Sequence, residues 1–124
     1  MPHVVIQCED SISKFFNLFR PLHEECGEWL IKIEEFYIEC GDSRAILSAV
    51  VVEEGHTQSF YIRIAKNKHD HTITIRLDPL TDPVKTRGVK RSIALVGESM
   101  VKWAAKAQVL RTNVQDFLKG GKES

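Results

Sequence analysis

EWLIKIEEFYIECGDSRAILSAVVVEEGHTQSFYIRIAKNKHDHTITIRLD, residues 28–78, is the stretch whose reading decides the fold. Trp29, Ile31 and Ile33 alternate with Leu30, Lys32 and Glu34, which is the two-residue period of a half-buried strand. After Glu34-Glu35 the apolar phase moves to Phe36, Ile38 and Cys40. One extra residue at the glutamates returns the apolar side chains to the same face, so the phase slip predicts a bulge there. Gly41-Asp42 supplies a hairpin turn. The next run, Arg44–Val52, is apolar on both phases, as expected of a central strand covered by a second layer or by a subunit partner. Glu53–His56 turns the chain. Phe60, Ile62 and Ile64 then alternate with Tyr61, Arg63 and Ala65, Asn67–Asp70 turns it again, and Ile73, Ile75 and Leu77 alternate with Thr72, Thr74 and Arg76. Connections this short join antiparallel neighbours, because a parallel crossover needs a dozen or more residues. The stretch is predicted to be a four-stranded meander.

Working outward, His3–Cys8 reads as a first strand. Asp10 or Ser11 can cap a helix whose apolar stripe is Ile12, Phe15, Phe19, Leu22 and Cys26, with Pro21 kinking it or ending it near Phe19. Beyond the meander, Asp82-Pro83 predicts a helix start with proline in the first turn. Val89, Ile93, Val96, Met100, Trp103 and Ala107 follow at helical steps and would cover the sheet. Gly88 and Gly97 each weaken that helix by about 1 kcal/mol relative to alanine, so close packing is expected at both. Residues Gln108–Leu118 read as a short docking helix. The expected fold class is therefore α+β: a two-layer sandwich with a mainly antiparallel sheet, order β-α-β-β-β-β-α-α, and the helices on one face. A single domain over residues 1–119 is expected, followed by a flexible tail over 120–124.

A chain of 124 residues with 43% apolar and 27% charged content has the composition of an ordinary globular domain, which argues against a fibrous or disordered chain. No apolar run reaches spanning length and no signal-peptide layout precedes the first strand, so no membrane association is expected. Three dispersed cysteines form neither a disulfide framework nor a zinc ligand set, which suits a cytoplasmic location. Cys8 and Cys40 read as core fillers. His69-Asp70-His71 sits in a turn without a third ligand fixed by spacing, so no metal site and no cofactor are expected. Net charge is zero but uneven: residues 1–62 hold four Lys/Arg against eleven Asp/Glu, and residues 63–124 hold thirteen against six. Acidic and basic strands side by side would neutralise each other through cross-strand pairs.

Function is less legible than fold. The leading expectation is a binding or assembly domain that self-associates through the doubly apolar strand Ala45–Val52 and an exposed Trp103. A protein partner of another kind would use the same surfaces. A second expectation comes from the first twelve residues, Met-Pro-His-Val-Val-Ile-Gln-Cys-Glu-Asp-Ser-Ile, which resemble the start of the 5-carboxymethyl-2-hydroxymuconate isomerase branch of the tautomerase superfamily. The resemblance implies loss of Met1 and a Pro2 secondary amine that burial makes basic enough to move a proton at neutral pH. It also implies arginines that hold substrate carboxylates, for which Arg44 and Arg63 are the candidates. A third expectation is an anion or single-stranded nucleic-acid surface. Tyr61, Arg63 and Arg76 lie on the polar phases of two adjacent strands, and Lys85, Arg87, Lys90 and Arg91 lie at the start of the long helix.

Overall fold

Seven strands make one antiparallel sheet wrapped around one long helix in a computed structural model that describes residues 1–104 and 106–118. In chain order the elements are β1 (His3–Gln7), α1 (Ile12–Leu18), β2 (Leu22–Glu25), β3 (Leu30–Ile38), β4 (Arg44–Glu53), β5 (His56–Asn67), β6 (Thr72–Leu77), α2 (Arg87–Trp103) and β7 (Gln108–Thr112), then a 3-10 turn, Gln115–Phe117. The sheet runs β2-β3-β4-β5-β6-β1-β7. The predicted meander is β3 to β6, and no helix interrupts it, so the chain does not divide into two strand–helix–strand halves.

The bulge falls where the phase slip puts it: the β3–β4 register shifts between Ile33 and Glu35. Trp29, Ile31 and Ile33 before it and Phe36 and Ile38 after it therefore all face the core. Both turns take up positive φ, at Gly41 (107°) and Asp42 (62°) in the longer β3–β4 connection and at Glu54 (49°) and Gly55 (80°), the geometry of a two-residue hairpin loop, between β4 and β5.

The alternation predicted for each strand appears as burial. Val4 and Ile6 of β1, Leu47 and Val51 of β4, Ile62 and Ile64 of β5, and Ile73 and Ile75 of β6 are buried on the inner face beneath α2. The helix offers Val89, Ile93, Val96 and Met100, the stripe read from the sequence. Its two glycines do what their cost suggested. A Cβ on Gly97 would lie 3.0 Å from Val4 Cγ1, and one on Gly88 would lie 2.6 Å from Glu53 Cδ and 2.7 Å from Val51 Cγ1.

Four expectations are corrected. First, the sheet curls, because strand twist accumulates over seven strands that share a single long helix. The arrangement is α+β with a mainly antiparallel sheet, but it is not a two-layer sandwich. Second, α1 ends at Leu18, and Leu22–Glu25 pairs with β3 as an edge strand. Pro21 cannot continue the helix and holds Arg20 out of the helical region. Third, α2 starts at Arg87 rather than at Pro83. The Gln58 side chain accepts from Val84 N–H at 2.7 Å and donates to Val84 C=O at 3.1 Å, tying that segment to β5. Fourth, Gln108–Thr112 is strand β7, because β1 has a free edge on which that segment closes the sheet. The predicted tail over 120–124 lies outside the described residues. Among the described residues no helix is long and apolar enough to cross a membrane.

Candidate binding surface on the outer sheet face

Both helices pack on the inner face, so the outer face of the sheet has no covering element among the described residues. The register lines up its side chains in rows. One row reads Tyr37 (β3), Ile46 (β4), Arg63 (β5), Arg76 (β6) and His3 (β1), each directly opposite the next. At about 4.8 Å between strands the row spans roughly 19 Å. Beside it lie Glu35, Ser48 and Tyr61, and at the far end of the strands lie Leu30 opposite Val52 and Lys32 opposite Val50. On the other flank Val5 stands opposite Arg111 of β7.

Electrostatics divide this face. Arg63 has an acidic neighbour, Asp78, at 3.6 Å. Asp78 is buried at the end of β6 and opens the turn to Thr81. Arg76 stands between Arg63 and His3 with no carboxylate within ion-pair distance among the described residues. Like charges directly opposite one another in a ladder are destabilising. Tyr37 O–H donates to Glu35 at 2.7 Å, and this bond to a carboxylate, helped by desolvation, holds the phenol above its ordinary pKa. Tyr37 and Tyr61 remain 48% and 39% exposed.

The residues predicted for anion binding separate into two groups. Tyr61, Arg63 and Arg76 share the outer face, whereas Lys85, Arg87, Lys90 and Arg91 belong to the helix side of the sheet. Lys85 pairs with Asp82 at 3.3 Å, and Arg87 pairs with Glu28 at 3.3 Å and lies over the Phe117 ring. Lys90 is half-buried in the first turns of α2. Arg91 is buried, only 2% exposed. It donates to both oxygens of Glu24 (2.9 and 2.8 Å), to both oxygens of Glu98 (2.6 and 3.1 Å) and to Phe117 C=O. Burial alone would lower its pKa, but the bonds to Glu24 and Glu98 outweigh that and hold it above the ordinary arginine value. The positive charge placed at the helix start by sequence is thus largely paired within the chain. Charge between the two halves of the chain is matched across the helix–sheet contact, by Arg87–Glu28 and Arg91–Glu24, rather than between neighbouring strands.

The start of α2 is occupied from within. Glu53 accepts from Thr86 O–H and, at 2.8 Å, from Gly88 N–H, while Thr86 Oγ1 accepts from Val89 N–H at 3.3 Å. A carboxylate of the chain itself takes the place an anionic ligand takes at other helix starts. Beside it a cleft of about 790 Å³ opens among Trp29, Glu54, His56, Thr57, Val84 and Arg87.

Arg44 and Arg63 stand diagonally across β4 and β5 on the outer face, whereas Pro2 is buried before β1. Arg44 pairs with Glu39 and Arg63 with Asp78. The carbonyl of Met1 accepts from Asn113 Nδ2 at 2.8 Å. Trp103 is not a free surface residue: it packs edge-on against Phe19, ring centres 6.0 Å apart. Cys8 is buried as expected, and burial pushes its thiol pKa up, but Cys40 is exposed because β3 ends at Ile38, two residues before it.

Sequence reasoning missed two residues of the outer row, Tyr37 and His3. The signal for Tyr37 was present: a bulge that turns Phe36 and Ile38 inward must turn Tyr37 outward. His3 had no such signal, because its place beside Arg76 depends on β1 pairing with β6, which joins positions 3 and 76 of the chain. No protein-family model, curated protein or solved structure matches the chain.

Proposed function

We propose that this domain is a binding module that assembles with a second copy of itself through the outer face of its sheet. The observation that carries this is β4. Its inner residues Ala45, Leu47, Ala49 and Val51 are buried under α2, while Ile46, Val50 and Val52 on the other side are only half-buried and have no layer over them. A strand apolar on both faces with one face uncovered is the pattern of a contact surface.

Charge supports a copy of the same chain. Towards β2 and β3 the outer face carries two carboxylates, Glu25 and Glu35, against one cation, Lys32, and towards β6 and β7 it is basic, through Arg76 and Arg111. A two-fold axis along β4 lays β3 of each copy over β5 of the other and brings the acidic flank towards the basic one, which is self-complementary. The ten residues of β4 and its two neighbouring strands cover roughly 33 by 14 Å. That is about 900 Å² for the pair, below the roughly 1,200–2,000 Å² of stable interfaces. The dimer is accordingly weak and concentration-dependent.

Sedimentation velocity over a concentration series tests this. The wild type shifts from monomer towards dimer, and Val50→Gln/Val52→Gln stays monomeric with an unchanged circular dichroism spectrum. A wild type that remains monomeric at its highest soluble concentration refutes the proposal.

A further inference from the structure

The row Tyr37–Ile46–Arg63–Arg76–His3, with Tyr61 and Arg111 beside it, gathers arginines and exposed tyrosines on one open face. We propose that it binds single-stranded nucleic acid. Three observations meet there. Arg63 and Arg76 occupy directly opposed positions on neighbouring strands, with the His3 ring, bonded to Met1 C=O at 3.1 Å, opposite Arg76, and Asp78 neutralises only Arg63. A ladder keeps such a row at a cost in stability unless something anionic answers it. Two tyrosines stand exposed on the same face, one at the end of the row and one beside it. The face is an open sheet surface, with neither helix over it among the described residues.

Basic side chains that follow a backbone, combined with aromatic rings on which bases stack, are the means by which single strands are held without sequence readout. A duplex presents no free base faces to the tyrosines. Glu35 does not spoil the platform: its carboxylate accepts the Tyr37 hydroxyl and so fixes the ring in place. The other cationic group of the sequence reading is excluded from this role, since Arg91 is buried and Lys85 and Arg87 are paired on the other side of the sheet.

Tyr37 and Arg63 also lie under the second copy in the dimer proposed above, so strand and second copy exclude each other. Only this clause of the inference rests on the dimer.

Fluorescence anisotropy of a labelled single-stranded oligothymidylate, read at low and at moderate salt, tests the inference. The wild type binds, and log K falls against log salt with a slope of about −1.4, as expected for two phosphate contacts, by Arg76 and Arg111, with Arg63 held by Asp78. Tyr37→Leu/Tyr61→Leu, which keeps the charge, weakens binding about tenfold or more. Arg76→Gln weakens binding and flattens the slope. The monomeric Val50→Gln/Val52→Gln variant binds at least as tightly as wild type. Absence of binding at low salt by both wild type and this variant overturns the inference. So does equal affinity for a duplex, or binding that the tyrosine substitutions leave unchanged, either of which marks a nonspecific polyanion surface. If Val50→Gln/Val52→Gln sediments like wild type, the dimer reading fails and strand binding is judged on the anisotropy alone.

Discussion

Arg91 shows how much of this fold depends on one charge held inside it. Its guanidinium joins Glu24 of β2, Glu98 one helical stretch further along α2, and the carbonyl of Phe117 after β7, so three parts of the chain close on one group. Trp29 Nε1–H completes the arrangement by donating to Glu24 at 2.9 Å. A buried pair of this kind contributes little relative to an apolar substitute of equal volume, yet removing one partner strands the other charges. Arg91→Ala is therefore expected to lower stability by about 3–5 kcal/mol, checked by urea denaturation. Nothing in the sequence marked Arg91 for burial, since the helical period puts it nearly opposite the apolar stripe, further from it than Lys90. What separates them is the inward-facing glutamate on β2, an element with no clear signal of its own. Gly88, by contrast, was legible as an anomaly in a helix. Gly88→Ala is expected to destabilise by about 1–3 kcal/mol, because the new methyl group meets both the Glu53 carboxyl and buried Val51. Cysteine labelling offers a separate check at this scale. Cys26 and Cys40 should react promptly with a thiol reagent in the native state, and Cys8 only on unfolding, since burial keeps it both inaccessible and protonated.

Among the elements, those with strong internal periodicity were legible and those defined by a partner were not. The meander from β3 to β6 announces itself through alternation, and even its bulge is visible as a phase slip. The stripe of α2 is equally plain. Its first turn is not: Pro83 is a good helix starter in isolation, but Gln58 captures Val84, and the cap passes to Thr86. Thr86→Ala removes the bond to Val89 N–H and a donor to Glu53, and is expected to cost about 1–2 kcal/mol, measurable as a lowered thermal midpoint. Thr86→Ser should retain most of the stability, because the hydroxyl is the functional part. Strands β2 and β7 escaped the reading because each is short and polar or mixed. Leu22–Glu25 continued a helical spacing, and Gln108–Thr112 carried no alternation of its own; β3 and β1 supply the ladders that make them strands. The candidate surface was half legible for the same reason. Tyr61, Arg63 and Arg76 came from adjacent strands, whereas His3 and Arg111 joined them only through long-range pairing.

Over the whole molecule, one helix is the hub of the sheet: α2 touches β1, β3, β4, β6 and β7, and no part of the core is independent of it. The two tryptophans sample distant parts of that core, Trp29 beside the Arg91 network and Trp103 against Phe19. Unfolding is expected to be a single transition, with the same midpoint from Trp29 fluorescence in a Trp103→Phe background as from circular dichroism. The strand order carries a last consequence. Of the strands of this sheet β1 leaves the ribosome before the others, yet both of its neighbours, β6 and β7, are made much later, β6 closing the meander and β7 following it. During synthesis Val4, Val5 and Ile6 therefore wait as an unpaired apolar segment while the rest of the sheet assembles without them, a target for chaperones and a seed for aggregation until the C-terminal residues emerge.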